Sequence, residues 1–192
     1  MSNLRRRLRW ESLLWIVPAV FIGYRIWPQV AAAFGVASAS APAPPFQLTT
    51  LDGRTVTNEQ LKGKVVLVNF WATWCPPCRL EMPGFESVYE RNAGRDFVVL
   101  GVAMDAGGSD DVRKFLAERK ITYPVAMATG EMVQQFGGVN LLPSSFLLDK
   151  QGRIRNEVRG IFASVALEQA VKRLIDEPGP ATSAPTRVGS AR

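Results

Sequence analysis

Trp71-Ala72-Thr73-Trp74-Cys75-Pro76-Pro77-Cys78 holds the only two cysteines of a 192-residue chain. It comes directly after the apolar run Val65 to Phe70, which is short, β-branched and preceded by Gly63-Lys64, and so reads as a buried strand. The residues after Cys78 read as helix, so the first thiol sits where a strand ends and a helix begins. A free cysteine has a pKa near ~8.5, which leaves roughly 3% thiolate at pH 7. The unpaired amides and positive dipole end of a helix N-terminus favour the thiolate, the nucleophilic form. The Cys-x-x-Cys spacing places the second sulfur one helical turn onward, within disulfide reach. Pro76 and Pro77 suit a first helical turn, where a missing N–H removes no helical hydrogen bond.

Other uses of a thiol pair fit less well. A tetrahedral zinc site wants four Cys or His ligands, and the chain has two Cys and no His. Haem attachment wants His after the second Cys, where Arg79 stands. A structural disulfide closing so short a loop removes little unfolded-chain entropy. Copper(I) binding stays open but lacks a supporting His or Met cluster. Redox catalysis is the main reading, with no resident metal or cofactor. The lack of His also excludes Cys-His and Ser-His-Asp arrangements. Proton transfer near neutral pH must then use a carboxylate with a raised pKa, a cysteine or water.

The formal net charge of +6 is unevenly placed. From Phe46 to Pro178 there are 16 Lys/Arg and 16 Asp/Glu, so that segment is neutral and carries no nucleic-acid footprint. The excess lies in Arg5, Arg6, Arg7, Arg9 and Arg25 against Glu11, and in Arg187 and Arg192. A basic start (1–12) followed by an apolar stretch from Leu13 has the layout of an export signal. The reading favours a retained single-span anchor over residues 13–36, with the arginines inside and the rest of the chain outside. A cleaved signal is the alternative: Ala37-Ser38-Ala39 has the small-x-small form, about 14 residues beyond the apolar run. Residues 37–45, rich in Ala, Ser and Pro, read as an extended tether. Residues 177–192 read as a disordered tail.

Between them, residues 46–176 read as one α/β domain. Phe46 to Leu48 and Thr55-Val56, around Asp52-Gly53, suggest a leading β-hairpin, and Asn58 to Leu61 a short helix. Strands are expected at Val65–Trp71, Phe97–Ala103, Tyr123–Met127, Ser145–Leu148 and Ile154–Arg159. Helices are expected from the cysteine pair to about Tyr89 and at Asp110–Arg119, Glu131–Phe136 and Ser164–Ile175. Ser164 is the expected N-cap of the last helix, with Glu168 near its first turn. Strands alternating with helices and ending in a hairpin imply a mixed sheet.

That order, with Cys-Pro-Pro-Cys at the first strand-to-helix turn, resembles the thioredoxin fold. More narrowly, it is similar to the TlpA/ResA group of membrane-tethered extracytoplasmic thiol-disulfide oxidoreductases. The matching stretches are Leu51-Asp52-Gly53, Val68 to Cys78, Glu81-Met82-Pro83, Pro143 to Asp149 and Gly152. The resemblance implies that Cys75 attacks, that Cys78 resolves, and that Pro143 is a cis-proline facing the disulfide. It also implies that the Leu142 backbone pairs with a bound peptide, and Trp74, Pro76 and Pro77 are expected to border it. Asn69 stands where cytosolic thioredoxins have a buried Asp, and Asn cannot ionise. The resemblance to the TlpA/ResA group then implies Glu81, three residues after Cys78, as the proton relay, with its pKa raised by partial burial. Leu141 and Ser144 depart from the Gly and Thr that the group often has around its proline.

The expected activity is reduction of disulfides in periplasmic proteins, such as apocytochrome c, with a DsbD/CcdA-type membrane protein as electron donor. The protein would sit on the periplasmic side of the bacterial inner membrane as a monomer. An oxidant or isomerase of the same fold, or a copper(I) delivery protein, are the alternatives. A peroxidase finds no Thr-x-x-Cys and Arg arrangement here.

Overall fold

The computed structural model describes residues 36–37 and 41–179. The expected anchor, apart from Val36, and most of the expected tail lie outside the described residues. The chain divides into two units between Ala37 and Ser38. Of the first, only the two-residue strand β1 (Val36–Ala37) is described.

The second unit begins with an antiparallel hairpin, β2 (Gln47–Thr49) and β3 (Thr55–Thr57), in which Leu48 faces Val56. Helix α1 (Asn58–Leu61) comes next, closed by a reciprocal capping box between Thr57 and Gln60. Then come β4 (Val65–Trp71), α2 (Pro76–Arg91), β5 (Phe97–Ala103) and α3 (Ser109–Arg119). The order closes with β6 (Val125–Met127), α4 (Gly130–Gln135), β7 (Ser144–Leu148), β8 (Ile154–Arg159) and α5 (Ser164–Asp176). The sheet of this unit runs β8-β7-β4-β5-β6. β4, β5 and β6 are mutually parallel, and β7 and β8 are antiparallel to their neighbours. This is the mixed α/β, thioredoxin-like fold expected from the sequence.

All seven residues of β4 are buried, and side chains alternate between the faces of a strand. Val65, Leu67 and Trp71 enter one apolar cluster, with Cys75, Cys78 and Phe85 of α2 and Leu167 and Val171 of α5. Val66, Val68 and Phe70 enter the other, with Phe46, Phe136 and Phe146. On the second face Phe70 and Phe136 lie 5.4 Å apart by ring centroid, and Phe136 and Phe146 5.0 Å. Asn69 shares the parity of Leu67 and Trp71, which turns it toward the α2 face. Burying each large apolar side chain contributes about 1.5–3 kcal/mol.

Three local expectations change. Ser164 is not the N-cap of α5: Ala163 holds that position, with no side-chain cap. The reason is packing, since a Cβ on Gly84 of α2 would lie 2.8 Å from Ser164 Cβ. Ser164 is thus pressed against the neighbouring helix. Glu168 lies beyond the first turn and pairs with Arg91 at 2.9 Å and Lys172 at 3.1 Å. Residues 41–43, expected as part of a free tether, are fastened to the β7–β8 turn. The Ala43 amide donates to the Gly152 carbonyl (2.8 Å), and the Ile154 amide to the Ala41 carbonyl (2.8 Å).

Gly101 in β5 is a packing requirement. A Cβ there would lie 3.0 Å from Val125 Cγ2, 3.1 Å from Trp71 Nε1 and 3.2 Å from Tyr123 Cε2. Both of those aromatic side chains are buried. Gly101→Ala should lower the urea midpoint without changing the slope, by about 1–3 kcal/mol of overpacking. An unchanged midpoint would show that the strand relaxes freely.

Candidate functional site

The strand-to-helix turn after β4 is held from several directions. The Thr73 amide donates to both carboxylate oxygens of Asp105 (3.2 and 3.1 Å), and its hydroxyl donates to Asp105 as well. That clamps the segment before Cys75 to the loop that leaves β5. The Cys75 amide donates to the Ala72 carbonyl (3.2 Å), completing a tight turn.

Cys75 is the N-cap of α2, with Pro76 and Pro77 in the first turn. Its sulfur accepts the Cys78 amide at 3.3 Å. The two sulfurs are joined as a disulfide, 2.05 Å long. Cys75 is 3% exposed and Cys78 fully buried. When the pair is reduced, the donor and helix end already in place at Cys75 favour its thiolate. Cys78 lacks that advantage, being enclosed by apolar groups.

Glu81 lies one turn after Cys78 on α2 and is 5% exposed. Its Oε1 accepts the Asn69 amide at 3.0 Å, and its Oε2 accepts the Phe162 backbone amide at 3.0 Å. The Asn69 Nδ2 group also donates to Ser145 Oγ at 3.0 Å. Burial pushes the Glu81 carboxyl up to about 7, against the opposing pull of the Phe162 and Asn69 donors. Four separate stretches of chain therefore meet around one carboxyl group: α2, β4, β7 and the segment before α5.

The Leu142–Pro143 bond is cis. The β4–β7 register pairs Phe70 with Ser144, so Pro143 lies one step beyond, at the end of β4 from which the cysteine turn departs. Leu142 packs against the cluster that contains both cysteines. The Pro143 carbonyl accepts the Gly160 amide (2.7 Å), and Ser144 Oγ donates to the Leu141 carbonyl (2.8 Å). Trp74 is 67% exposed. Pro76 is exposed, and Pro77 and Leu142 are half-buried.

Some contributors leave little trace in the sequence. Asp105 has one: a carboxylate just past the carboxyl end of a central parallel strand borders the usual functional edge of such sheets. Ser145 gives only a weak sign, as a hydroxyl in an apolar run. The Phe162 contribution is a backbone amide and leaves no residue-type signal. Glu86, also on α2, is buried and accepts the Thr122 and Tyr123 amides at 2.8 and 3.4 Å. It anchors the segment after α3 to α2. Among the described residues no cluster of three or more His, Cys, Asp or Glu could hold a metal ion.

The titration of Glu81 gives a stability prediction. Its folded pKa is raised above the ordinary value of 4.5 to about 7, so the folded state holds a proton that the unfolded state releases. Its contribution is fully present below about pH 4.5 and is lost as pH rises through about 7. At about 1.4 kcal/mol per pKa unit, the loss is roughly 3 kcal/mol. Glu81→Gln should remove that part of the slope when the oxidised protein is unfolded in urea between pH 4.5 and 8. Parallel slopes for both proteins would contradict it.

Comparison with known proteins agrees with this geometry. Residues 39–157 match the AhpC/TSA family. A thiol-disulfide oxidoreductase ResA from Bacillus thuringiensis subsp. konkukian is 35% identical over 133 residues, covering 69% of this chain and 76% of that protein. The ResA of Bacillus subtilis (strain 168) is 31% identical over 157 residues, covering 81% and 87%. Among solved structures, a thioredoxin-family thiol:disulfide interchange protein from Chlorobium tepidum superposes with a TM-score of 0.66 at 35% identity, over 72% of this chain and 99% of that one. The dithiol at a strand-to-helix turn, the enclosed carboxyl one turn on and these similarities agree: the chain belongs to the AhpC/TSA family and, within it, to the ResA-type thiol-disulfide oxidoreductases.

Proposed function

We propose that this protein reduces disulfides in extracytoplasmic proteins, with Cys75 as nucleophile, Cys78 as resolving thiol and Glu81 as proton relay. The observation that carries the reading is Glu81, a carboxyl enclosed one turn after Cys78 with its pKa brought to about 7. In the first step the Cys75 thiolate attacks one sulfur of the substrate disulfide. A Cys75–substrate bond forms, the substrate S–S bond breaks, and the leaving thiolate takes a proton. Glu81 in its carboxylate form then takes the Cys78 proton. Cys78 attacks the Cys75 sulfur, releasing the second substrate thiolate and leaving the Cys75–Cys78 disulfide. Two electrons pass to the substrate, and the proton held by Glu81 is lost to water.

A membrane dithiol carrier of the DsbD/CcdA kind would return the protein to its reduced form. Apocytochrome c, whose haem attachment needs free thiols, is a fitting substrate. Pro143 and the Leu142 backbone would align the substrate chain, with Trp74, Pro76 and Pro77 bordering it. The basic start and apolar stretch from Leu13 support a retained anchor that places the domain on the periplasmic side. No helix among the described residues is long and apolar enough to cross a membrane; the proposed span lies outside them, apart from Val36.

Three measurements test this. Cys78→Ser expressed in cells should accumulate mixed disulfides through Cys75, and mass spectrometry identifies the partners; an unreactive Cys75 at pH 7 with no thiol-linked partner would refute the mechanism. The reduction potential should be clearly more negative than the ~−120 mV of a dedicated oxidant; a value near that figure would make the protein an oxidant instead. In rapid-mixing assays Glu81→Gln should slow resolution of the mixed disulfide roughly 10²-fold or more at pH 7. The wild-type rate should inflect near pH 7, and the variant should lose that inflection.

A further inference from the structure

Two arginines beside the dithiol meet no carboxylate among the described residues. Arg79 of α2 and Arg119 in the last turn of α3 place their guanidinium carbons 5.7 and 5.3 Å from one ring centroid, that of Phe115. Phe115 in turn rests on buried Trp71, at 5.5 Å between centroids. With Pro76 and Leu80, the two arginines line a cavity of about 290 Å³. Neither guanidinium has a hydrogen bond or ion pair among the described residues. Arg113 on the same helix is committed, to the Leu51 carbonyl and to Asp110.

Ordinary surface chemistry accounts for only part of this. A cation at a helix C-terminus is favoured by the helix dipole, which explains Arg119. Arg79 is the opposite case: it is the fourth residue of α2, near the helix end that disfavours cations. Stacking on an aromatic ring returns about 0.5–1 kcal/mol per cation. Gathering two cations at one ring works against that gain. An anion seated between them would relieve the repulsion and satisfy both guanidinium forks.

We infer that Arg79, Arg119 and Phe115 form an anion-accepting subsite that takes an Asp or Glu side chain of the substrate polypeptide close to its disulfide. The inference rests on the disulfide-exchange reading above. The cavity touches Pro76, the residue after Cys75. An extended chain advances about 3.3 Å per residue, so the acidic residue lies within about three positions of the attacked cysteine. Leu80 (74% exposed) lines the cavity, and Trp74 (67%) stands two residues before Pro76; both offer apolar contact to a bound chain. The subsite thus selects substrates with a carboxylate beside the disulfide.

The test uses two disulfide-bonded peptides that differ only in carrying Glu-Asp or Gln-Asn two residues from the cysteine. Exposed charge pairs are each worth up to about 1 kcal/mol. The reduced wild-type protein should therefore prefer the acidic peptide by about five- to tenfold in kcat/KM at low salt. The preference should fall below about twofold in the Arg79→Gln/Arg119→Gln double variant, and should shrink in about 0.5 M salt. No preference in the wild type, or an equal preference in the double variant, overturns the inference. Should the wild type reduce neither peptide, the redox reading fails separately. Fluorescence anisotropy with Ser-for-Cys versions on the oxidised protein then reads the subsite alone. A preference for the acidic peptide that the double variant loses supports the subsite; equal binding of both peptides overturns it.

Discussion

The structure depends on a carboxyl group that is almost wholly withdrawn from water. Glu81 is enclosed by the same apolar cluster that packs α2 and α5 against the sheet. An ionised carboxylate there would lose hydration worth many kcal/mol, and two amide donors return only a fraction of it. The result is a group balanced between its charged and neutral forms near neutral pH. Each donor comes from a different part of the chain, Asn69 from β4 and Phe162 from the segment before α5. Moving either element would alter both packing and titration, so the position of α5 bears directly on the chemistry of α2.

Asn69 clarifies why this balance is possible. A second carboxyl at that position, 3.0 Å from Glu81 as the amide is, would couple the two titrations, and one of the pair would stay protonated well above neutral pH. An amide supplies a fixed donor without a second charge, so a single group titrates. Ser145 accepts the other N–H of the same amide, which fixes how Asn69 is turned. The central strand can then carry one polar side chain among six apolar ones without leaving that donor unpaired.

Much of this is legible in the chain itself because local and long-range signals coincide. The bounds of β4, β5 and β8 follow from apolar runs cut off by turn residues, and α2 follows from the proline-rich entry at its first turn. Asn69, which cannot ionise, and the lack of histidine call for a carboxylate, and the resemblance to the TlpA/ResA group points to Glu81. The illegible part depends on geometry between distant segments. The Phe162 amide and the Asp105 clamp on Thr73 arise only once the loops converge at the end of the sheet. The start of α5 departs from expectation for a related reason: Ser164 has the right residue type for a cap, yet the close approach of Gly84 makes it a packing residue. Residue type reports what a side chain can do, whereas the neighbouring helix decides what it does.

The two sulfurs therefore meet different surroundings although only two residues separate them. Cys75 sits at the start of α2 and accepts an amide from Cys78. Each of these favours sulfur as an anion. Cys78 is fully buried, with Glu81 one turn along the helix, and a thiolate there is disfavoured by desolvation and by any charge on that carboxylate. Under the proposed mechanism this asymmetry orders the steps. The anion-favouring sulfur attacks first, and it is then the sulfur that Cys78 attacks, with the second substrate thiolate leaving. Cys78 becomes nucleophilic only as its proton passes to Glu81, after which the proton shields the carboxylate charge that would otherwise repel the new thiolate. One carboxyl thus serves as both base and switch, and it can do so because its pKa lies near the pH at which the exchange runs.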